Sequence, residues 1–179
     1  MSAIFNFTFV PWFRSVAPYI HMHRGKTLVV GVPGEAIAAG KLPNIVQDLT
    51  LIHSMGLKII LVYGFRPQVN EQLALKGQQP RYHKGVRITD AVALDCVLEA
   101  AGQLRYEVEA AFSQALPNTP MAGATVKVVS GNFVTARPMG IVDGVDYHHS
   151  GLVRKVDVTL IQQLLDQETI VLLSPLGFS

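Results

Sequence analysis

Continuous apolar runs alternate with helical stripes along most of the chain. Thr27-Leu28-Val29-Val30 and Lys58-Ile59-Ile60-Leu61-Val62-Tyr63 are apolar almost throughout, which predicts two buried strands. Between them, Ile45, Leu49 and Ile52 recur at helical spacing over Asn44 to Met55, and Gly56 supplies the stop. A second helix is predicted from near Pro67, a residue suited to a first helical turn. Strand, helix, strand, helix, with strands apolar on both faces, predicts parallel pairing in an α/β sheet. Upstream, Phe13, Val16, Ala17 and Ile20 share one face of a short helix over Phe13 to His21, where Pro18 predicts a kink or a break.

Downstream, Val86 to Thr89 reads as a short extended piece. Thr89 or Asp90 then caps the longest predicted helix, which reaches about Ala115. Its stripe is Leu94, Val97, Leu98, Ala101, Leu104, Val108, Ala111, Phe112. Pro117-Asn118-Thr119-Pro120 ends it. Val126 to Val129 predicts another strand. Phe133 to Val142 and Tyr147 to Val156 predict a hairpin around Asp143-Gly144-Val145-Asp146. Asp157 caps a helix to about Gln167, and Ile170 to Leu173 is the last strand. A late hairpin after βαβ units predicts a mixed sheet. The run ends just past that strand at Ser174-Pro175-Leu176-Gly177-Phe178-Ser179, so a truncated domain is expected.

Composition narrows the function classes. With 179 residues, 49% of them hydrophobic, one domain with a sizeable core is expected. A net charge of +2 with scattered Lys and Arg argues against a nucleic-acid surface. The single Cys96 lies among Leu94, Val97 and Leu98, so it reads as a buried apolar residue in a protein of a reducing compartment. The apolar start, Met1 to Val10, lacks the basic head of an export signal, and no stretch has the length of a membrane span. A cytoplasmic protein is expected. The pairs His148-His149 and His21/His23 have no helical i, i+4 spacing and no Cys or acidic partner at ligand spacing, so no metal site is expected. A Gly-x-Ser-x-Gly elbow is absent as well.

Chemistry is expected where strands end and helices begin. Gly31-Val32-Pro33-Gly34 and Gly64-Phe65-Arg66-Pro67 are the two such loops. Glycines there let backbone N–H groups approach a phosphate or carboxylate. Tight turns alone would also account for them.

The strings Tyr63-Gly64-Phe65-Arg66-Pro67-Gln68-Val69-Asn70 and Gly85-Val86-Arg87-Ile88-Thr89-Asp90 resemble the amino-acid kinase family, acetylglutamate kinases in particular. A finer resemblance, to N-acetylglutamate synthases of the proteobacterial type, rests on several strings. They are Ala17-Pro18-Tyr19-Ile20 through Thr27, Tyr82-His83-Lys84, Val129-Ser130-Gly131-Asn132-Phe133, Asp143 to Tyr147, and Ser150 to Lys155. The resemblance covers nearly all of the chain from about Phe13. It implies a carbamate-kinase-like three-layer α/β sandwich with a mostly parallel sheet and a β-hairpin, here as the N-terminal lobe over residues 25–179. Residues 1–24 would form a helical segment for oligomerisation and regulation.

Departures from the kinase pattern carry the functional expectation. Kinases of this kind place a lysine at the end of the first strand, followed by a glycine pair, and this lysine offsets charge on the phosphoryl group in flight. Here Gly31 takes the lysine position and Pro33 replaces a glycine. In the second loop only Gly64 survives, with Phe65 and Arg66 filling the space. Kinase chemistry is expected to be lost, and no catalytic residue is expected in this chain. The resemblance implies instead the regulatory part of a synthase that acetylates glutamate with acetyl-CoA and is inhibited by arginine. The acetyltransferase domain and most of the arginine pocket would lie outside these residues. By the same resemblance, Tyr19 matches a tyrosine beside that pocket, although a half-buried interface aromatic explains it equally well. Trp12 and Phe13 read as contacts of a homo-oligomer. Arg87 matches the arginine that holds the substrate carboxylate in acetylglutamate kinases, a role that suits a planar fork. The plainer reading is an ion pair with Asp90 or another acid. Gly31, Gly34, Gly64, Arg66 and Arg87 would together line a vestigial pocket.

Overall fold

The structure, a computed structural model, describes residues 9–114 and 126–179. The order of elements is α1 (Phe9–His23), β1 (Thr27–Val32), α2 (Gly34–Ala38), α3 (Leu42–Ser54), β2 (Lys58–Tyr63), α4 (Arg66–Leu75), β3 (Tyr82–His83), β4 (Val86–Arg87) and α5 (Ala91–Ser113). There follow β5 (Lys127–Ser130), β6 (Val134–Pro138), β7 (Ile141–Val142), β8 (Val145–Asp146), β9 (Gly151–Val156), α6 (Val158–Asp166) and β10 (Thr169–Leu173).

Four strands form the central sheet in the order β1-β2-β10-β5, and every pairing is parallel. The expected mixed sheet does not form, because the hairpin strands pair with one another away from it: β6 with β9, and β7 with β8 at the tip. Asp143 (φ 53°) and Gly144 (φ 75°) both turn left-handed there, the geometry that a two-residue hairpin loop needs.

Helices cover both faces of the sheet. Ile59, Leu61, Ile170 and Leu172 pack with Val46 and Leu49 of α3 and with Leu104, Val108 and Phe112 of α5. On the opposite face Val171 packs with Ile161 and Leu165 of α6 and with Phe133. The alternation along β2 and β10 sends successive residues to the two layers. A smaller cluster joins Val69 and Leu73 of α4 to Ala93, Cys96, Val97 and Ala100 of α5, so Cys96 is core, as expected.

β1 departs from the predicted buried strand. It lies at the sheet edge, and Leu28 (38% exposed) and Val29 (62% exposed) face outward. Val29 pairs with Ile60, whose neighbours are on the α6 side, and α6 packs over β2 and β10. α1 shows no break at Pro18 and buries no residue. Pro18 removes one helical hydrogen bond, but the carbonyl it orphans sits on an exposed helix where water satisfies it. Asp90, rather than Thr89, caps α5, its side chain accepting from Ala93 N at 2.9 Å. Asp157 caps α6 likewise from Leu160 N at 3.0 Å. The predicted stop at Pro117 to Pro120 lies outside the described residues.

Candidate functional site

The carboxyl ends of β1 and β2 lie side by side, and the loops that follow them are sealed together. Gly64 N donates to Val32 O at 2.8 Å. Gln68 Nε2 donates to Gly34 O at 3.0 Å. A Cβ on Gly34 would stand 2.8 Å from Gln68 Oε1, 2.9 Å from Pro67 Cδ and 3.0 Å from Gly64 O. A Cβ on Gly64 would meet Gly34 N at 3.0 Å. Both glycines are therefore required for close approach of two backbones. Gly31 is different: among the described residues nothing lies within 4 Å of a Cβ placed there.

Over these loops lies an open hollow of about 420 Å³, lined by Gly34, Glu35, Gly64, Arg66, Tyr82 and Arg87, with Pro33, Phe65 and Pro175. The β3–β4 arm supplies Tyr82 and Arg87, and the first turn of α4 supplies Arg66. Arg87 Cζ stands 4.9 Å from the centre of the Tyr82 ring, and Arg66 Cζ 5.6 Å from it. Arg87 Nη2 donates to Asn70 Oδ1 at 2.7 Å, and the Tyr82 hydroxyl donates to the same oxygen at 3.0 Å. Arg87 Nη1 is buried without a partner. Burial holds the Arg87 pKa below its usual value, with the neighbouring Arg66 cation pushing the same way, and the guanidinium stays charged.

The plainer reading of Arg87 is corrected here. Asp90 pairs with Arg81 at 2.5 Å, and among the described residues Arg87 forms no ion pair. Arg66 is likewise without an acidic partner among them and faces the hollow rather than merely filling its loop. Two guanidinium groups that form no ion pair among the described residues give the hollow a positive lining suited to a carboxylate or another oxyanion.

Of the residues singled out in the sequence, Gly34, Gly64, Arg66 and Arg87 come together at this hollow, and Gly31 and Tyr19 do not line it. Tyr19 is 63% exposed on α1. Phe9 and Trp12, with ring centres 6.0 Å apart, and Phe13 are also exposed on that helix. Sequence reasoning missed Tyr82 and Asn70 as site residues. Tyr82 was visible only as part of a family string. A ring between two arginines depends on a two-residue strand folding back, which no periodicity reports. Asp143 and Asp146 shape the hairpin turn as expected, Asp146 Oδ1 accepting from His148 N at 2.9 Å.

A second hollow, about 390 Å³, opens beyond the ends of β5 and β10 and is lined by Tyr63, Arg105, Ser130, Asn132, Ser174 and Phe178, among others. Its polar groups are largely engaged with each other. Glu109 Oε1 accepts from Arg105 Nε at 2.9 Å and from the Ser130 hydroxyl at 2.8 Å, and Tyr63 donates to Ala101 O at 3.3 Å. Burial raises the Tyr63 pKa, so that hydroxyl stays protonated near neutrality. Among the described residues no helix is long and apolar enough to cross a membrane.

Comparison with known proteins agrees with this architecture. The chain is 60% identical to an amino-acid acetyltransferase of Ralstonia nicotianae over 171 residues, which is 96% of the chain and 38% of that relative. It is 52% identical over the same length to an amino-acid acetyltransferase of Ectopseudomonas mendocina, covering 40% of it. The chain thus spans about two fifths of the length of the curated relatives it matches. The crystal structure of N-acetylglutamate synthase from Neisseria gonorrhoeae complexed with coenzyme A and L-arginine superposes with a TM-score of 0.87 at 37% identity, covering 96% of this chain and 40% of that one. Carbamate kinase of Giardia shares the fold alone, with a TM-score of 0.54 at 17% identity. Residues 26–179 match the model of the amino acid kinase family, and the chain belongs to that family.

Proposed function

We propose that this chain is the kinase-like, regulatory portion of an N-acetylglutamate synthase, and that it carries out no phosphoryl transfer of its own. The observation that carries this reading is the pair of strand-end loops. By the resemblance to kinases, Gly31 stands where their phosphoryl transfer uses a lysine, and Gly34 and Gly64 are used up in packing one loop on the other. The high identity to amino-acid acetyltransferases supports the same reading. The whole protein would move an acetyl group from acetyl-CoA to the amine of glutamate in the cytoplasm, in the first step of arginine biosynthesis. Arginine would act as its feedback inhibitor. In this reading α1, with Tyr19 and its exposed aromatic rings, joins copies of the chain into an oligomer and flanks the arginine site. The hollow at Gly34, Gly64, Arg66 and Arg87 persists as a small-anion site that takes a carboxylate.

Titration calorimetry of the intact protein with L-arginine tests the regulatory part. Heat with saturable binding is expected, and its absence sinks the arginine reading. The lost kinase chemistry has its own test. Because a Cβ at position 31 meets no atom within 4 Å among the described residues, Gly31→Lys should fold as the wild type does and still transfer no phosphoryl group from ATP·Mg²⁺ to N-acetylglutamate. Robust turnover by the wild-type protein would overturn the proposal in favour of an active acetylglutamate kinase.

A further inference from the structure

We propose that the tip of the long hairpin, residues 139–150, is a clamp that fixes the Tyr82–Arg87 arm over the hollow, with Ser150 as its main positioning residue. This rests on the reading of the hollow as an anion site.

The arm needs such a clamp. β3 and β4 pair through only two residues each, joined by Lys84 (φ 48°) and Gly85 (φ 79°). A ladder that short does not hold itself in water. Beneath it, the arm touches α4 through side chains, Arg87 and Tyr82 sharing Asn70 Oδ1. Its backbone is held from the other side, by the hairpin tip. The Ser150 hydroxyl donates to Arg87 O at 2.5 Å and lies 2.8 Å from Thr89 Oγ1. His149 N donates to Thr89 O at 2.9 Å, and Thr89 pairs with His148 as an isolated parallel bridge. Tyr147, buried to 2% exposure, donates its hydroxyl to His83 O at 3.3 Å and meets the His83 ring edge-on.

These contacts are not equal. Lys84 Nζ and Asp143 Oδ2 stand 2.5 Å apart, but both side chains are mostly exposed, and ion pairs of that kind contribute little. Ser150 is partly buried, and its hydroxyl satisfies the carbonyl of Arg87 itself. Loss of that hydroxyl frees a backbone carbonyl of Arg87 that the hairpin tip holds, beyond the short pairing of Arg87 with Tyr82. Positioning of a guanidinium fork is sensitive to such shifts, because both of its N–H rows must point at the same anion.

The test uses the intact protein with glutarate as probe, read by titration calorimetry and by amide hydrogen exchange. Ser150→Ala should weaken glutarate binding about fivefold, the worth of one hydrogen bond, with the thermal midpoint little changed. Ser150→Thr, which keeps a hydroxyl, should restore the affinity. Coupling is reciprocal, so glutarate should slow exchange of the His149 and Ser150 amides in the wild-type protein. That measurement needs no variant to fold. Unchanged affinity in Ser150→Ala, or no protection of those amides in protein that binds glutarate, overturns the clamp and leaves the anion reading standing. Failure of the wild-type protein to bind glutarate sinks the anion reading instead. Exchange across residues 82–89 then decides the clamp alone: faster exchange there in Ser150→Ala supports it, and unchanged exchange refutes it.

Discussion

Gly34→Ala should lower the stability of the protein by about 1–3 kcal/mol, the usual cost of forcing an added carbon into a packed site. The carbon would meet three atoms at 3.0 Å or less, and two of them cannot swing away: the ring carbon Pro67 Cδ and the backbone oxygen of Gly64. Relief requires moving the start of α4, which carries Arg66, away from the start of α2. The two loops would then part, so glutarate affinity should fall along with stability. Gly31→Ala is the matched control. It lies on the adjoining strand with open space around its Cβ, and its stability should stay within about 0.5 kcal/mol of wild type. Urea unfolding followed by circular dichroism compares the two. Equal midpoints for both variants would mean that the loops are not packed as described, and the argument that these glycines serve packing would fall.

β2, β10 and the long helix were legible in the sequence because their apolar positions pack into the core. β2 and β10 are covered on both faces, so their apolar runs are unbroken, and α5 shows its stripe over six turns of helix. β1 shows the same apolar run and yet lies at an edge. An apolar run reports that a strand is built to be covered, and Val29 is left mostly exposed and Leu28 partly so among the described residues. α2 was missed because five residues give no helical period to read. The site was half legible. Gly34 and Gly64 could be placed at strand ends, but their reason could not, since a glycine kept for anion access and one kept for backbone packing look alike in sequence. Arg87 was found and its partner was misjudged. Asp90 is three residues away in the chain, but its side chain is committed to capping α5 and to Arg81, which leaves Arg87 free to face the hollow. The hairpin was correctly placed, and its strands pair with one another outside the four-stranded sheet.

Arg87→Ala should abolish most of the anion affinity, weakening glutarate by about 10- to 100-fold, since hydrogen bonds to a charged group are worth about 1.5–3 kcal/mol. Stability should change much less. Asn70 Oδ1 keeps its bond from the Tyr82 hydroxyl, and the residue contributes a side chain that is only partly buried. The variant also removes a buried, unpaired N–H, which offsets part of the packing lost. Arg87→Lys separates charge from shape. A lysine ammonium keeps one positive charge, but it cannot bond Asn70 and an anion through two fixed rows of N–H groups. Its affinity should therefore fall between those of wild type and Arg87→Ala. If Arg87→Lys binds glutarate as tightly as wild type, the hollow attracts anions only as a diffuse positive field, and Arg66 with its exposed charge would do as well. If Arg87→Ala binds as tightly, the anion lies elsewhere. An intermediate value for lysine, with arginine far ahead, places the carboxylate on the planar Arg87 guanidinium.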